Sequence, residues 1–485
     1  MLTTSRTAAE GAPRTVGPPG WLVEHRPFLI ALVLGTALRV VVSLAFTPAL
    51  MISDGPTYLS FLDTFEPNPD RPVGYSLFLL LPLSWMTDSV LAVALTQHLM
   101  GLATAVLVYL LLRRWQVRRW PATLATLPVL FDSLQLVLEH AVLSDTLFVL
   151  LVTLGIVVLG WRRRPTLALA LAAGLTLGAS VTVRQVGLPL VVAGVAFCLM
   201  AGDRWRTSLA GAAALTLGFV LPVGAYATWY HQVHGVYALS EITGKFTYMR
   251  ATTFVDCDRL SVPDYQRVLC PREPLGQRRD PTFYGWHDDQ TLPQLEPPAG
   301  MTRDAAMRDF AAEATREQPV DYTLIVLRDF ALNFDLWRTD RFEYATAYRW
   351  QFSSYVHLEP TEWTGPAFDR HGGDQLTGHQ PFADAVVTYQ RFGYLPGPLL
   401  LACLVLGVFG AAGVGRARRS GMRSMCVLLT VSGAGLLLVP DLATQFVWRY
   451  QLPALVLLPA GAALAYTALY GRQVDAGTVA TPRTD

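Results

Sequence analysis

The chain alternates between apolar runs of roughly bilayer length and short polar breaks. Ten such runs can be read: Phe28 to Phe46, Val90 to Leu112, Trp120 to Leu138, Leu143 to Trp161, Leu167 to Val183, Val186 to Ala201, Leu209 to Tyr230, Tyr394 to Val414, Met425 to Val439 and Phe446 to Tyr470. About 20 apolar residues in helical form cross a hydrocarbon core. The pattern therefore predicts an all-α polytopic membrane protein of about ten transmembrane helices. Ser76 to Met86 is apolar but too short to cross and is interrupted by Pro82, which predicts an interfacial or re-entrant helix.

The polar breaks orient these spans. Arginine clusters at Arg113 to Arg119, Arg162 to Arg164, Arg204 with Arg206, and Arg416 to Arg419 recur after every second span. Because Arg and Lys favour cytoplasmic loops, these breaks lie inside, both termini are cytoplasmic, and the loops between them lie outside. Residues 1–27 then read as a disordered cytoplasmic tail, 28–230 as a transmembrane core with a catalytic outer loop at 48–89, 231–392 as a mixed extracytoplasmic segment, 393–471 as the closing helices and 472–485 as a second tail. Within the outer segment, periodicity predicts a helix from Met301 to Arg316, followed by a surface helix over Val320 to Phe334 that lies along the membrane.

Composition agrees with a membrane class and narrows the partners. Of 485 residues, 52% are hydrophobic and 15% charged, with mean hydropathy +0.34. A formal net charge of +1, with no basic patch interleaved with aromatics, excludes a nucleic-acid partner. Cys198, Cys403 and Cys426 fall in spans; Cys257 and Cys270 share the outer segment, where oxidation is permitted, and are expected to form a disulfide. No CxxC pair or HExxH motif marks a metal site.

Candidate chemistry gathers at one membrane depth. Asp54 follows the first span by a few residues, and Gly55 with Pro56 reads as a turn after it. The same outer loop carries Arg71 and Tyr75. Glu139, His140 and Asp145 stand between the third and fourth spans, Arg184 with Gln185 between the fifth and sixth, and Arg449 with Tyr450 at the start of the last. Carboxylates can remove a proton from a hydroxyl, and guanidinium groups grip phosphate through a planar fork. Acids and arginines at one depth thus suit a phosphorylated lipid. Asp54 and Asp145 are the catalytic candidates; Arg71, Tyr75, Glu139, His140, Arg184, Arg449 and Tyr450 are the substrate-binding candidates. A divalent metal between the two aspartates is a further candidate, since carboxylate oxygens suit such ions. Arg39, deep in the first span, requires a partner.

The segments ISDGPTY (52–58), RPVGYSLFL (71–79), HAVLSDTLF (140–148), TVRQVGLPL (182–190) and WRYQLP (448–453), in this order and topology, resemble the landmarks of GT-C superfamily glycosyltransferases that use polyprenyl-phosphate-linked sugars, among them protein mannosyltransferases and aminoarabinose transferases. EATREQPVDYTLIVLRDF (313–330) is similar to a surface helix pair of bacterial members. The resemblance implies a bacterial plasma-membrane glycosyltransferase with Asp54 as general base, Asp145 as the second acidic position, and Arg184 and Arg449 on the lipid phosphate. The acceptor (glycan, lipid or protein) stays open. A polytopic lipid or solute transporter is the alternative reading, for which inverted repeats and charges spread through the membrane depth would be expected.

Overall fold

A computed structural model of the chain describes residues 20–287, 292–338, 347–353 and 377–471. Nearly all regular structure is helical. The helices are α1 (Gly20–Ala45), α2 (Gly55–Thr64), α3 (Leu81–Ser84), α4 (Val90–Arg114), α5 (Arg119–Phe131), α6 (Ser133–His140), α7 (Asp145–Gly160), α8 (Leu167–Val183), α9 (Leu190–Ala201), α10 (Trp205–His234), α11 (Thr243–Ala251), α12 (Arg303–Glu317), α13 (Pro319–Leu332), α14 (Phe382–Tyr389), α15 (Gly397–Ala412), α16 (Arg423–Ala443) and α17 (Leu452–Tyr470). Two two-residue strands, β1 (Phe46–Thr47) and β2 (Thr377–Gly378), pair antiparallel.

Among the described residues, five helices are long and apolar enough to cross a membrane alone: α1, α4, α10, α16 and the stretch Trp448–Tyr470 that contains α17. The bent pair α5–α6 makes a sixth, and α7, α8, α9 and α15 are shorter apolar helices where the remaining spans were expected. The first helix starts at Gly20, so residues 20–27 are helical rather than part of a tail; the rest of that tail and the second tail lie outside the described residues. Asp132 causes the 48° bend between α5 and α6: its carboxylate accepts from Leu134 N and caps α6, as a side-chain oxygen does at a new helix start.

Close helix packing uses small residues. A Cβ at Gly174 would stand 2.1 Å from the Leu215 carbonyl oxygen, and one at Gly218 would stand 2.3 Å from that of Leu171. These glycines let the α8 and α10 backbones touch, as small residues do between membrane helices. The arginine-rich breaks meet at one end of the bundle: Arg114 donates to the Trp161 carbonyl at 3.1 Å, Arg163 lies over Trp115, and Arg164 pairs with Asp203.

At the other end sits a second, smaller core on α11 and α12, with Tyr248, Phe254, Leu269 and Phe310 buried together. Cys257 is joined to Cys270 beside it. The expected outer helix is α12, capped by Thr302, which accepts from Ala305 N. The second helix expected there is α13, and it ties this unit to α16 through Tyr322 to the Leu442 carbonyl at 3.1 Å and Asn333 to Asp441 at 3.2 Å. Buried Arg250 and Asp329 pair at 2.8 Å between α11 and α13.

Candidate active site

The first loop is fixed before it reaches Asp54. Leu50 N donates to the His140 carbonyl at 2.9 Å and Val142 N to the Leu50 carbonyl at 3.0 Å, which lays the loop against the link between α6 and α7. Ser53 then takes a left-handed φ of 53°, a conformation that costs free energy for a residue with a Cβ. Asp54 follows as the residue preceding α2, with Pro56 in that helix's first turn. The Gly55–Pro56 turn expected from the sequence is therefore a helix start. Proline fits there because the first-turn N–H groups have no intrahelical acceptor.

The same link brings in the second acid. Asp145 opens α7, and Arg184 ends α8 in an extended conformation before a 3-10 turn. Arg449 sits in the 3-10 turn that leads into α17. Arg449 bridges the two carboxylates: Nε and Nη2 donate to Asp145 Oδ2 at 2.9 and 2.6 Å, and Nη1 donates to Asp54 Oδ2 at 3.1 Å. Arg184 Nη1 stands 2.8 Å from Asp145 Oδ1, and Arg71 Nη2 donates to Asp54 Oδ1 at 3.0 Å. Arg184 also faces the ring of Tyr450 at 5.6 Å. Three guanidinium groups against two carboxylates leave one net positive charge.

Burial would raise the Asp54 carboxyl from its usual value near 3.8, but Arg71 and Arg449 outweigh it and hold the group well below that range. Arg71 is stabilised as a cation in return: burial opposes its charge and Asp54 restores it. Asp54 is ionised at any physiological pH. The cation that keeps it so also weakens it as a base.

Two cavities meet at Asp54, Arg71 and Tyr450. One, of about 290 Å³, runs between the α8–α9 turn and the end of α16; Val186, Leu188, Val439 and Pro440 line it, with Arg184 at its inner end. The other, of about 580 Å³, is walled by Phe246, Trp286, Trp350 and Arg349 beside Gln445. The first suits an apolar chain with an anionic end, the second a hydroxylated molecule.

Of the expected substrate-binding residues, Arg71, Arg184, Arg449 and Tyr450 join this centre. Glu139, His140 and Tyr75 do not. Glu139 is fully buried and takes Arg39 Nη2 at 2.7 Å and His98 Nδ1 at 2.8 Å, while His98 Nε2 and His140 Nδ1 are 3.1 Å apart. His140 Nε2 reaches the Phe46 carbonyl at 2.7 Å. These groups lie beside the Asp54 loop, which pairs with the His140 carbonyl, but the short, turned α6 aims them inward at α1 and α4. A Cβ at Gly101 would stand 1.7 Å from Glu139 Oε1, so only glycine admits the carboxylate there. Tyr75 donates to Gln97 at 3.1 Å and packs edge-on to Tyr58, supporting the site from behind. Arg39 thus finds its partner in a structural pair.

The residues missed by sequence reasoning are Ser53, Tyr58, Ser144 and the aromatic wall. Tyr58 bonds Ser144 at 2.8 Å, and Ser53 accepts from Arg449 at 3.3 Å. Tyr58 stands four residues after Asp54, on the same face of α2, a spacing that could have marked it. A metal fits this centre poorly. The Arg449 guanidinium occupies the approach between the carboxylates, and among the described residues no three His, Cys, Asp or Glu side chains stand together as a ligand set.

The profile of the dolichyl-phosphate-mannose-protein mannosyltransferase family matches residues 82–238. No curated protein matches the chain. Among solved structures, the archaeal oligosaccharyltransferase AglB from Archaeoglobus fulgidus, in complex with an inhibitory peptide and a dolichol-phosphate, is similar at 12% identity and a TM-score of 0.45, over 92% of this chain and 51% of that one. The chain therefore spans about half the length of that enzyme. Over residues 82–238, which include Asp145 and Arg184, the chain is similar to the dolichyl-phosphate-mannose-protein mannosyltransferases, in agreement with the resemblance read from the sequence.

Proposed function

We propose that the chain transfers a sugar from a polyprenyl-phosphate donor to an acceptor hydroxyl, with inversion at the anomeric carbon, on the extracytoplasmic face of a bacterial plasma membrane. The observation that carries this reading is the convergence of Asp54 and Asp145 with Arg71, Arg184 and Arg449, from four distant parts of the sequence, where an apolar cavity meets an aromatic-walled one with more polar groups. The donor chain occupies the smaller cleft, with its phosphate at Arg184 and Arg449. The acceptor enters through the larger one. Asp145 aligns both arginines and does not meet the substrate.

The acceptor oxygen forms its bond to the anomeric carbon as the bond from that carbon to the phosphate oxygen breaks. The electron pair leaves with the phosphate, and the hydroxyl proton goes to Asp54. An arriving phosphate competes for Arg449, which also bonds Asp54, and the weakened hold of that cation strengthens Asp54 as a base at the moment it is needed. Guanidinium groups already in place then stabilise the leaving anion in a site of low dielectric.

The test is transfer of radiolabelled sugar from a panel of polyprenyl-phosphate sugars by purified protein, wild type against Asp54→Asn. Label leaving the lipid with wild type alone supports the assignment. Well-folded protein that turns over no donor, but moves lipid across vesicles, would replace it with the transporter reading.

A further inference from the structure

A third cavity belongs to neither of these clefts. It is a groove of about 590 Å³ between α5, α15 and α17, apolar along Leu127, Pro128, Leu399, Cys403 and Pro459. It occupies the half of the bundle nearest the Asp54 end, because it reaches from the middle of α15 to its first turn and closes at Asp132 and Tyr394. There it adjoins a polar chamber of about 320 Å³ lined by Trp337, Arg338, Arg391 and Trp350. Arg338 is held at 3.2 and 3.3 Å by buried Asp132 and stacks near Tyr394 and Trp448. Trp350 also lines the Asp54 cavity, and its ring lies 5.2 Å from the Arg449 guanidinium.

We infer that this groove and chamber hold the acceptor, and that the acceptor is an amphiphile: an acyl or prenyl lipid with an anionic, hydroxylated headgroup. This rests on the glycosyltransferase reading above and specifies its second substrate. Three observations carry it. The groove has the volume and apolar walls of a site that buries a ligand's chain. Its polar end places Arg391, the Asp132-paired Arg338 and three tryptophans where an anionic headgroup would lie, at the same end of the bundle as the catalytic acids. The chamber shares the Trp350 side chain as a wall with the cavity that contains Asp54, so a headgroup anchored beside Arg338 lies one indole ring from that cavity. The donor cleft with Arg184 lies across α17, on the α9–α16 side, so two lipids can be held at once.

The experiment has two arms that fail separately. In the first, purified full-length protein in detergent is photolabelled with a diazirine-acyl phosphatidylinositol, and the labelled peptides are mapped. Label on the α5 and α15 peptides that is displaced by unlabelled phosphatidylinositol but not by phosphatidylcholine is the expected result. Ala402→Trp, which overfills the groove from its lipid-facing wall, and Leu399→Trp, from a neighbouring turn, should each reduce that label by about tenfold. Equal displacement by phosphatidylcholine would make the groove a seat for bulk lipid and overturn the inference. In the second, membranes holding the protein receive radiolabelled polyprenyl-phosphate sugar, and the products are partitioned. Label moving into an organic-extractable glycolipid distinct from the donor supports a lipid acceptor. Label found only in precipitated protein or water-soluble glycan overturns it while leaving the glycosyltransferase reading intact. If no label leaves the donor, that reading fails, and the photolabelling arm alone decides whether an anionic amphiphile occupies the groove.

Discussion

Two buried ionic clusters stand close together in this molecule, and each is built on arginine–carboxylate pairs. Around Arg39, Glu139, His98 and His140 every charge is enclosed: Glu139 and His140 are fully buried, and Arg39 is 3% exposed. Around Asp54, Asp145 and the three arginines, Asp54 is 16% and Arg71 18% exposed, and two cavities open on them. The first cluster also closes on itself, with helix carbonyls at Val129 and Leu130 accepting from Arg39. The second carries one more cation than anion. A closed cluster can lock α1, α4 and α6 together and do nothing else; an open one with surplus positive charge can accept an anion. Charge inside a membrane therefore points to chemistry only when a ligand can reach it.

The sharpest way to break this comparison is to remove one carboxylate from each cluster. Asp54→Asn keeps the shape and the hydrogen-bonding oxygen while removing the base. Transfer should fall by about 10²- to 10⁴-fold with the folded yield unchanged, as read by labelled-sugar turnover and size-exclusion profiles. Glu139→Leu should do the reverse. It leaves Arg39 buried without its carboxylate, a loss of about 3–5 kcal/mol that thermal unfolding in detergent would report, while turnover per folded molecule stays near wild type. If Glu139→Leu instead abolished turnover in folded protein, the closed cluster would be part of the reaction.

How far the sequence reached follows the same division. Apolar runs and arginine breaks located the helices and the two ends of the bundle, because hydrophobic length and charge bias are local properties of the chain. Asp54, Arg184 and Arg449 were legible because each stands at the end of an apolar run. Glu139 and His140 stand at such an end too, yet they turn inward. Facing depends on the bend at Asp132 and on the space at Gly101, and neither is visible in a depth reading. Trp350 and Trp286 lie in polar stretches without periodicity, and only the folded outer segment brings them to the cavity. The Ser53 backbone was equally hidden, since a left-handed φ at serine has no composition signal.

A smaller effect separates the arginines within the open cluster. Arg184 Nη1 holds Asp145 and lines the donor cleft. Arg184→Gln should therefore weaken donor binding by the worth of one charged hydrogen bond, roughly 1.5–3 kcal/mol. The expected signature is a KM for donor raised about tenfold to a hundredfold with a smaller change in kcat. A change confined to kcat would move Arg184 from holding the phosphate to stabilising the transition state.

Arg71→Gln should have the smallest effect at neutral pH and the most specific one as pH falls. Arg71 acts first among three cations, with Arg449 and Arg184, that hold the Asp54 carboxyl below 3.8 against the burial that would raise it. Removing it leaves burial opposed by Arg449 and Arg184 alone, so the free-enzyme pKa of Asp54 must rise, by about 1–3 units for the loss of one adjacent opposite charge. The acid limb of kcat/KM reports the free enzyme. It should lie below pH 4 in wild type and move upward in Arg71→Gln. Stability follows the same sign: a carboxyl with a depressed folded-state pKa stabilises the fold fully above its unfolded value and loses that contribution as pH falls toward the folded one. Wild type thus keeps the Asp54 contribution at neutral pH, and the variant keeps less of it and loses it over a narrower window. Rate profiles from pH 3 to 7, with unfolding midpoints at the same pH values, measure both. An acid limb that stays put would mean that the ionisation governing transfer belongs to a group other than Asp54. The same profiles in Glu139→Leu should match wild type, since the closed cluster holds no proton that the reaction uses.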